Sequence, residues 1–170
     1  AAVLVYGLVM TFGGCAETFL LHPSTQPLDP GGARQQFIER GNRKIEIYSA
    51  RSKGAEQSGQ PRAFLLEFTG NATRGEQITQ YIADRWGNRP IEVWVMNYPG
   101  FGQSTGPAKL AAIPPAALAT YDELAQHAKT RPIFVAGNSM GTPSALYVAS
   151  QRKVAGFRAV YRDEHVERLH

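Results

Sequence analysis

Between residues 37 and 161, short apolar runs rich in β-branched and aromatic residues alternate with stretches of helical periodicity. That alternation limits the fold more than any other feature. The runs 63–69, 91–98 and 133–137 are nearly continuous in apolar residues, as strands are when both faces of their sheet are covered. Run 45–49 alternates with Lys44 and Glu46 in the manner of a half-buried strand, and 155–161 is a weaker run of the same kind. Between them, Ile78, Tyr81, Ile82 and Trp86 form one apolar stripe, ended by Asn88-Arg89-Pro90. Leu118, Tyr121, Ala125 and Ala128 form a second, bounded by Pro114-Pro115 and Arg131-Pro132. Residues 142–151 form a third helix, with Pro143 tolerated in its first turn. Strands alternating with helices predict βαβ units and an α/β fold, a mainly parallel sheet flanked by helices.

The 170 residues are 43% hydrophobic and 19% charged, which fits one globular domain. A single Cys excludes a disulfide framework and a multi-Cys zinc site, and no metal or organic cofactor is expected. The net charge of +4 comes without a concentrated basic run, so nucleic acid is not an expected partner. No Gly-x-Gly-x-x-Gly opens a helix after a strand and there is no P-loop Lys, which disfavours nucleotide binding.

Two segments read Gly-x-Ser-x-Gly: Gly102 to Gly106 around Ser104, and Gly137 to Gly141 around Ser139. A serine nucleophile needs a sharp strand-to-helix turn that lifts its hydroxyl above the sheet edge, with Gly on either side to relieve crowding. Ser139 meets that requirement. Ile133-Phe134-Val135-Ala136 runs straight into Gly137, and helical sequence follows Gly141. Ser104 does not, since its strand ends at Tyr98 and no helix begins until about Pro115. Ser139 is the candidate nucleophile, Gly137 and Gly141 are the elbow glycines, and Ser104 is a loop residue.

With two further pieces in chain order, this elbow resembles the α/β-hydrolase family over roughly residues 37–161. Phe64-Leu65-Leu66-Glu67-Phe68-Thr69-Gly70-Asn71-Ala72 is similar to the strand and oxyanion loop that usually end His-Gly-Asn-Ala, with Thr69 in place of the His. Asn97-Tyr98-Pro99-Gly100-Phe101-Gly102-Gln103-Ser104-Thr105-Gly106 is similar to the family's Gly-rich loop after the next strand. The wording is nearest to membrane-associated serine hydrolases that include the BEM46-like proteins. The resemblance implies hydrolysis of a small-molecule ester, thioester or amide through an acyl-enzyme on Ser139. The main-chain N–H groups of Met140 and Asn71 would form the oxyanion hole, worth roughly 2.7–4 kcal/mol for one such donor.

In that family the acid and His follow the nucleophile, and here 31 residues remain after Ser139. Asp163, Glu164, His165 and His170 are the candidates there, Asp163 standing just beyond the strand after the elbow helix. His22 and His127 precede the nucleophile. The expectation is an N-terminal part of a hydrolase with slow or absent turnover. The alternative is a truncated or non-catalytic scaffold without an acid–His pair. Glu67, inside an apolar strand, is read as solvated at the strand's end.

Residues 1–12 are apolar and uncharged, too short for a transmembrane helix, and fit the apolar part of a secretory signal. Gly13-Gly14-Cys15 directly after them resembles a bacterial lipoprotein signal, apart from Phe12 where Leu is usual. That resemblance implies lipidation of Cys15, membrane-surface association and a cell-envelope location. The other reading is a core helix or strand with an ordinary Cys, in a cytoplasmic protein. Residues 1–32 are therefore expected to be a signal-like or membrane-proximal segment and an extended tether rich in Pro, and 33–170 a partial hydrolase domain.

Overall fold

The computed structural model describes residues 21–160. The chain forms β1 (Arg34–Arg40), β2 (Arg43–Arg51), α1 (Lys53–Gln57), β3 (Ala63–Phe68), α2 (Gly75–Arg85), β4 (Ile91–Met96), α3 (Ile113–Ala128), β5 (Ile133–Asn138), α4 (Thr142–Gln151) and β6 (Gly156–Val160). The six strands lie in one sheet in the order β1-β2-β4-β3-β5-β6. From β4 through β3 and β5 to β6 every pairing is parallel, whereas β1–β2 and β2–β4 are antiparallel. The sheet is thus mixed, with its parallel part where the sequence places the candidate chemistry.

Strand β1 lies outside the sequence expectation, which began the pattern at residue 37. It pairs with β2 through a two-residue turn at Gly41-Asn42, and Gly41 has φ +61°. Left-handed backbone of this kind is what a tight hairpin requires, and Gly-Asn supplies it. Glu46 of β2 also departs from expectation. It is 1% exposed, because the outer face of β2 is roofed by the loop after β4.

Helices cover both faces. Leu65, Val93, Val95 and Ala136 pack with Ile78 and Ile82 of α2 and with Trp86 at its C-terminal cap. On the other face Phe64, Leu66, Phe68, Trp94 and Val135 meet Tyr121 and Leu124 of α3 and Ala145 and Val148 of α4. Tyr81, placed in the apolar stripe by its spacing, is instead 58% exposed, with the Arg85 guanidinium over its ring. The face of α2 that meets the sheet is led by small residues, Gly75, Thr79 and Ala83, which let the helix lie close. A Cβ on Gly75 would stand 2.8 Å from the ring of Tyr48.

The connection from β3 to β4 runs through α2 on one face, and that from β4 to β5 through α3 on the other. The chain therefore reverses direction across the sheet between β3 and β5. Loops leaving the carboxyl ends of two such strands diverge and leave a crevice. No helix among the described residues is long and apolar enough to cross a membrane.

Candidate active site

Ser139 stands directly after β5, at that crevice. Its φ is +49°, one of three non-glycine residues with positive φ among the described residues. Left-handed backbone costs a Ser roughly 1–3 kcal/mol and persists only where the surroundings dictate it. Here the turn is held from both sides. The Thr142 hydroxyl donates to the Gly137 carbonyl (3.2 Å), and the Thr142 N–H returns to the Ser139 carbonyl. A Cβ on Gly137 would lie 2.5 Å from the Gly141 carbonyl oxygen, and one on Gly141 would run into the carbonyls of Phe68 and Thr69. Both elbow positions demand glycine for space. The side of Ser139 away from these contacts is exposed. Met140 lies within the single 3-10 turn Ser139–Gly141 that leads into α4, where main-chain N–H groups point outward and the helix end favours negative charge.

The loop after β3 comes to the same place. A Cβ on Gly70 would meet the Ser139 Cβ at 3.6 Å, so the two segments lie within one side chain's reach of each other. Asn71 follows Gly70, with its side-chain oxygen accepting from the N–H of Ala72 (3.0 Å) and of His22 (3.1 Å). Thr69, where the family pattern has His, uses its hydroxyl inside the loop, donating to the Thr73 carbonyl at 2.9 Å. The Tyr98 hydroxyl donates to the Thr69 carbonyl at 2.7 Å and ties the loop to the end of β4. Burial and the nearby Glu67 charge raise the Tyr98 phenol, against the lowering effect of its hydrogen bonds, so it stays protonated and can donate.

Ser104 is a buried structural residue of the loop after β4. Its hydroxyl donates to the Asn97 carbonyl (2.8 Å) and accepts from the Glu46 N–H (2.9 Å). The loop wraps the Glu46 carboxylate, which also accepts from Gln103 N–H, Asn97 Nδ2, Gln35 Nε2 and the Tyr48 hydroxyl. Burial raises the Glu46 carboxyl, but these four donors outweigh it and hold the group below the usual carboxylate range. Gly102 has φ +54° and sits against this carboxylate. The first Gly-x-Ser-x-Gly match thus encloses a buried charge. Asn97 passes the network on to Glu76 (2.9 Å), which faces the buried Arg74 guanidinium at 3.6 Å. Sequence reasoning singled out none of Asn97, Glu76 and Arg74, and placed Glu46 on the solvent side of its strand.

His127 lies at the far end of the sheet. It lies in the last turn of α3, 3.4 Å from Glu92 and packed against the rings of Phe64 and Trp94. His22, although it precedes the nucleophile by more than a hundred residues, is bonded through its main chain to Asn71 at the serine's edge. Glu67 is half-buried on β3 between Val95 and Ala136, facing the α2 side. Its burial pushes the carboxyl up to about 7, against the pull of Arg158 on β6. Cys15 and the candidates Asp163, Glu164, His165 and His170 lie outside the described residues.

No protein-family model and no curated protein matches the chain. Solved structures do. The thioesterase domain from the curacin biosynthetic pathway is 21% identical, with a TM-score of 0.56 over 76% of this chain and 46% of its own. An alpha-beta serine hydrolase homologue from Coxiella burnetii is 18% identical, with a TM-score of 0.58 over 74% of this chain and 61% of its own. A soluble variant of monoglyceride lipase from Saccharomyces cerevisiae is 16% identical, with a TM-score of 0.62 over 80% of this chain and 45% of its own. The chain therefore has the α/β-hydrolase fold, and it spans about half the length of these structures.

Proposed function

We propose that the chain carries the nucleophile and oxyanion donors of a serine hydrolase acting on ester, thioester or amide bonds. The observation that supports this most directly is the exposed Ser139 at φ +49°, at the end of a parallel strand and against the loop of Gly70. In the proposed reaction the Ser139 hydroxyl adds to the substrate carbonyl and gives its proton to a base. The carbonyl oxygen, now negative, takes hydrogen bonds from the Met140 and Asn71 main chain. The base passes that proton to the leaving group as the adduct collapses, which expels the alcohol, thiol or amine and leaves an acyl group on Ser139 that water then removes as the carboxylic acid. The hydrolase neighbours support the fold-level part of this reading, and the residue roles are our own assignment.

The same reading has the domain held at a membrane surface, anchored through Cys15 in the cell envelope. That part rests on the pattern of residues 1–15.

A fluorophosphonate probe tests the assignment, because it reports the serine's nucleophilicity without needing the natural substrate. Labelling is expected in the unsubstituted chain, lost in Ser139→Ala and retained in Ser104→Ala. The Ser104 variant gives up two buried hydrogen bonds, so circular dichroism must first show it folded. A folded chain inert to the probe favours the other reading, a scaffold that binds without turnover. The position of His127 at the opposite end of the sheet is the observation on that side.

A further inference from the structure

Residues 21–26 cross the carboxyl edge of the sheet as an extended strap. Leu21 is 2% exposed within the main apolar core. The Ser24 carbonyl accepts from the Gly102 N–H (2.9 Å) and from Arg74 Nη1 (2.9 Å), and the Gln26 carbonyl accepts from Arg74 Nη2 (2.6 Å). Arg74 is itself 2% exposed and paired with Glu76, so it is a fixed anchor. Pro23 and Pro27 keep the segment extended, which lowers the entropy lost in laying it down. The strap is thereby bonded to the loop after β3 and to the loop after β4.

At its start the strap reaches Asn71. The N–H groups of His22 and Ala72 converge on the one carboxamide oxygen, and Ala72 is held at φ +62°. We propose that the His22 main chain is a positioning group for the reaction. It pins the Asn71 side chain and so fixes the peptide whose N–H would face a negative oxygen on the Ser139 adduct. This rests on the reading of Ser139 and Asn71 given above. The loop continues from Gly70, where an added Cβ would stand 3.6 Å from that of Ser139, so a displacement of Asn71 by a fraction of an ångström alters donor geometry where it counts. Sequence order excluded His22 from the site as a partner of the triad. The fold brings it back through its amide rather than its ring.

The amide and the imidazole can be separated. His22→Ala keeps the N–H and removes the ring, whereas His22→Pro removes both. Pro23 already holds residue 22 away from helical backbone. Inactivation by the fluorophosphonate probe is measured in both variants, resolved into kinact and KI, together with amide hydrogen exchange across residues 66–76. In His22→Pro, kinact is expected to fall about ten- to a hundredfold below His22→Ala. KI should not move, and exchange across the loop should be faster. Equal exchange in the two variants overturns the proposal. So does an equal kinact, including the case where both fall together below the unsubstituted chain, which would assign the effect to the imidazole. If the unsubstituted chain fails to label, the Ser139 reading falls, and the exchange comparison alone decides whether the strap holds the loop. Asn71→Ala, which removes the acceptor, gives the same exchange readout should His22→Pro not fold.

Discussion

Two carboxylates on neighbouring parts of the sheet show how surroundings rather than residue type set a charge. Glu46 is deeply buried yet ionised easily, since it accepts from four groups. Glu67 lacks such a set, and burial lifts it to about 7. An unfolded Glu ionises near 4.5, so between that pH and about 7 the unfolded state sheds a proton the folded state keeps. Stability therefore falls as pH rises through this window and stays lower above it. Glu67→Gln is expected to abolish that fall. Urea unfolding at pH 5 and pH 8 should show the unsubstituted chain losing on the order of 1–2 kcal/mol more than the variant, allowing for water at the partly exposed carboxylate. Glu67 was conspicuous in the sequence because it interrupts an apolar run. Glu46 was not, because it obeys the alternation of its strand and its donors Asn97 and Gln103 lie more than fifty residues away.

The unit β5–Ser139–α4 was the most legible element of the chain. The signals that mark the hinge are local: a buried strand, small residues on both sides of the Ser, and a helix with Pro in its first turn. The strictest constraint is not local, because a Cβ on Gly141 meets main-chain carbonyls of β3 and the loop beyond it, which cannot swing aside. Gly141→Ala is expected to cost about 1–3 kcal/mol, read as a lower midpoint in thermal circular dichroism. Gly70→Ala makes only ordinary contact with Ser139 and should keep its midpoint. The hairpin of β1 and β2 had an equally local signal in Gly41-Asn42 and went unread, since charged residues on β1 obscure its alternation. Tyr81 was misplaced for a different reason. Spacing identifies a stripe, but close approach of helix to sheet selects the smallest residues within it.

At the scale of the molecule, local pattern yields the α/β class and the parallel core, but not the strand order. Nothing near β2 announces that it will pair with β4, forty residues on. The order matters because it creates the crevice between β3 and β5 and leaves β6 outermost among the described strands. Phe134 sits opposite Gly156 and Phe157 opposite Val135, so the two rings stand on opposite faces of the sheet there, each 40% exposed. Exposed apolar rings beside an outermost strand favour association. Sedimentation velocity should show mass increasing with concentration, and Phe157→Lys should suppress the increase. The strap has an architectural consequence of its own. Because Leu21 is locked into the core and the His22 N–H is bonded to Asn71, position 22 stands at the rim that carries Ser139. A dye fixed to that exposed position would sense whatever molecule comes to the rim.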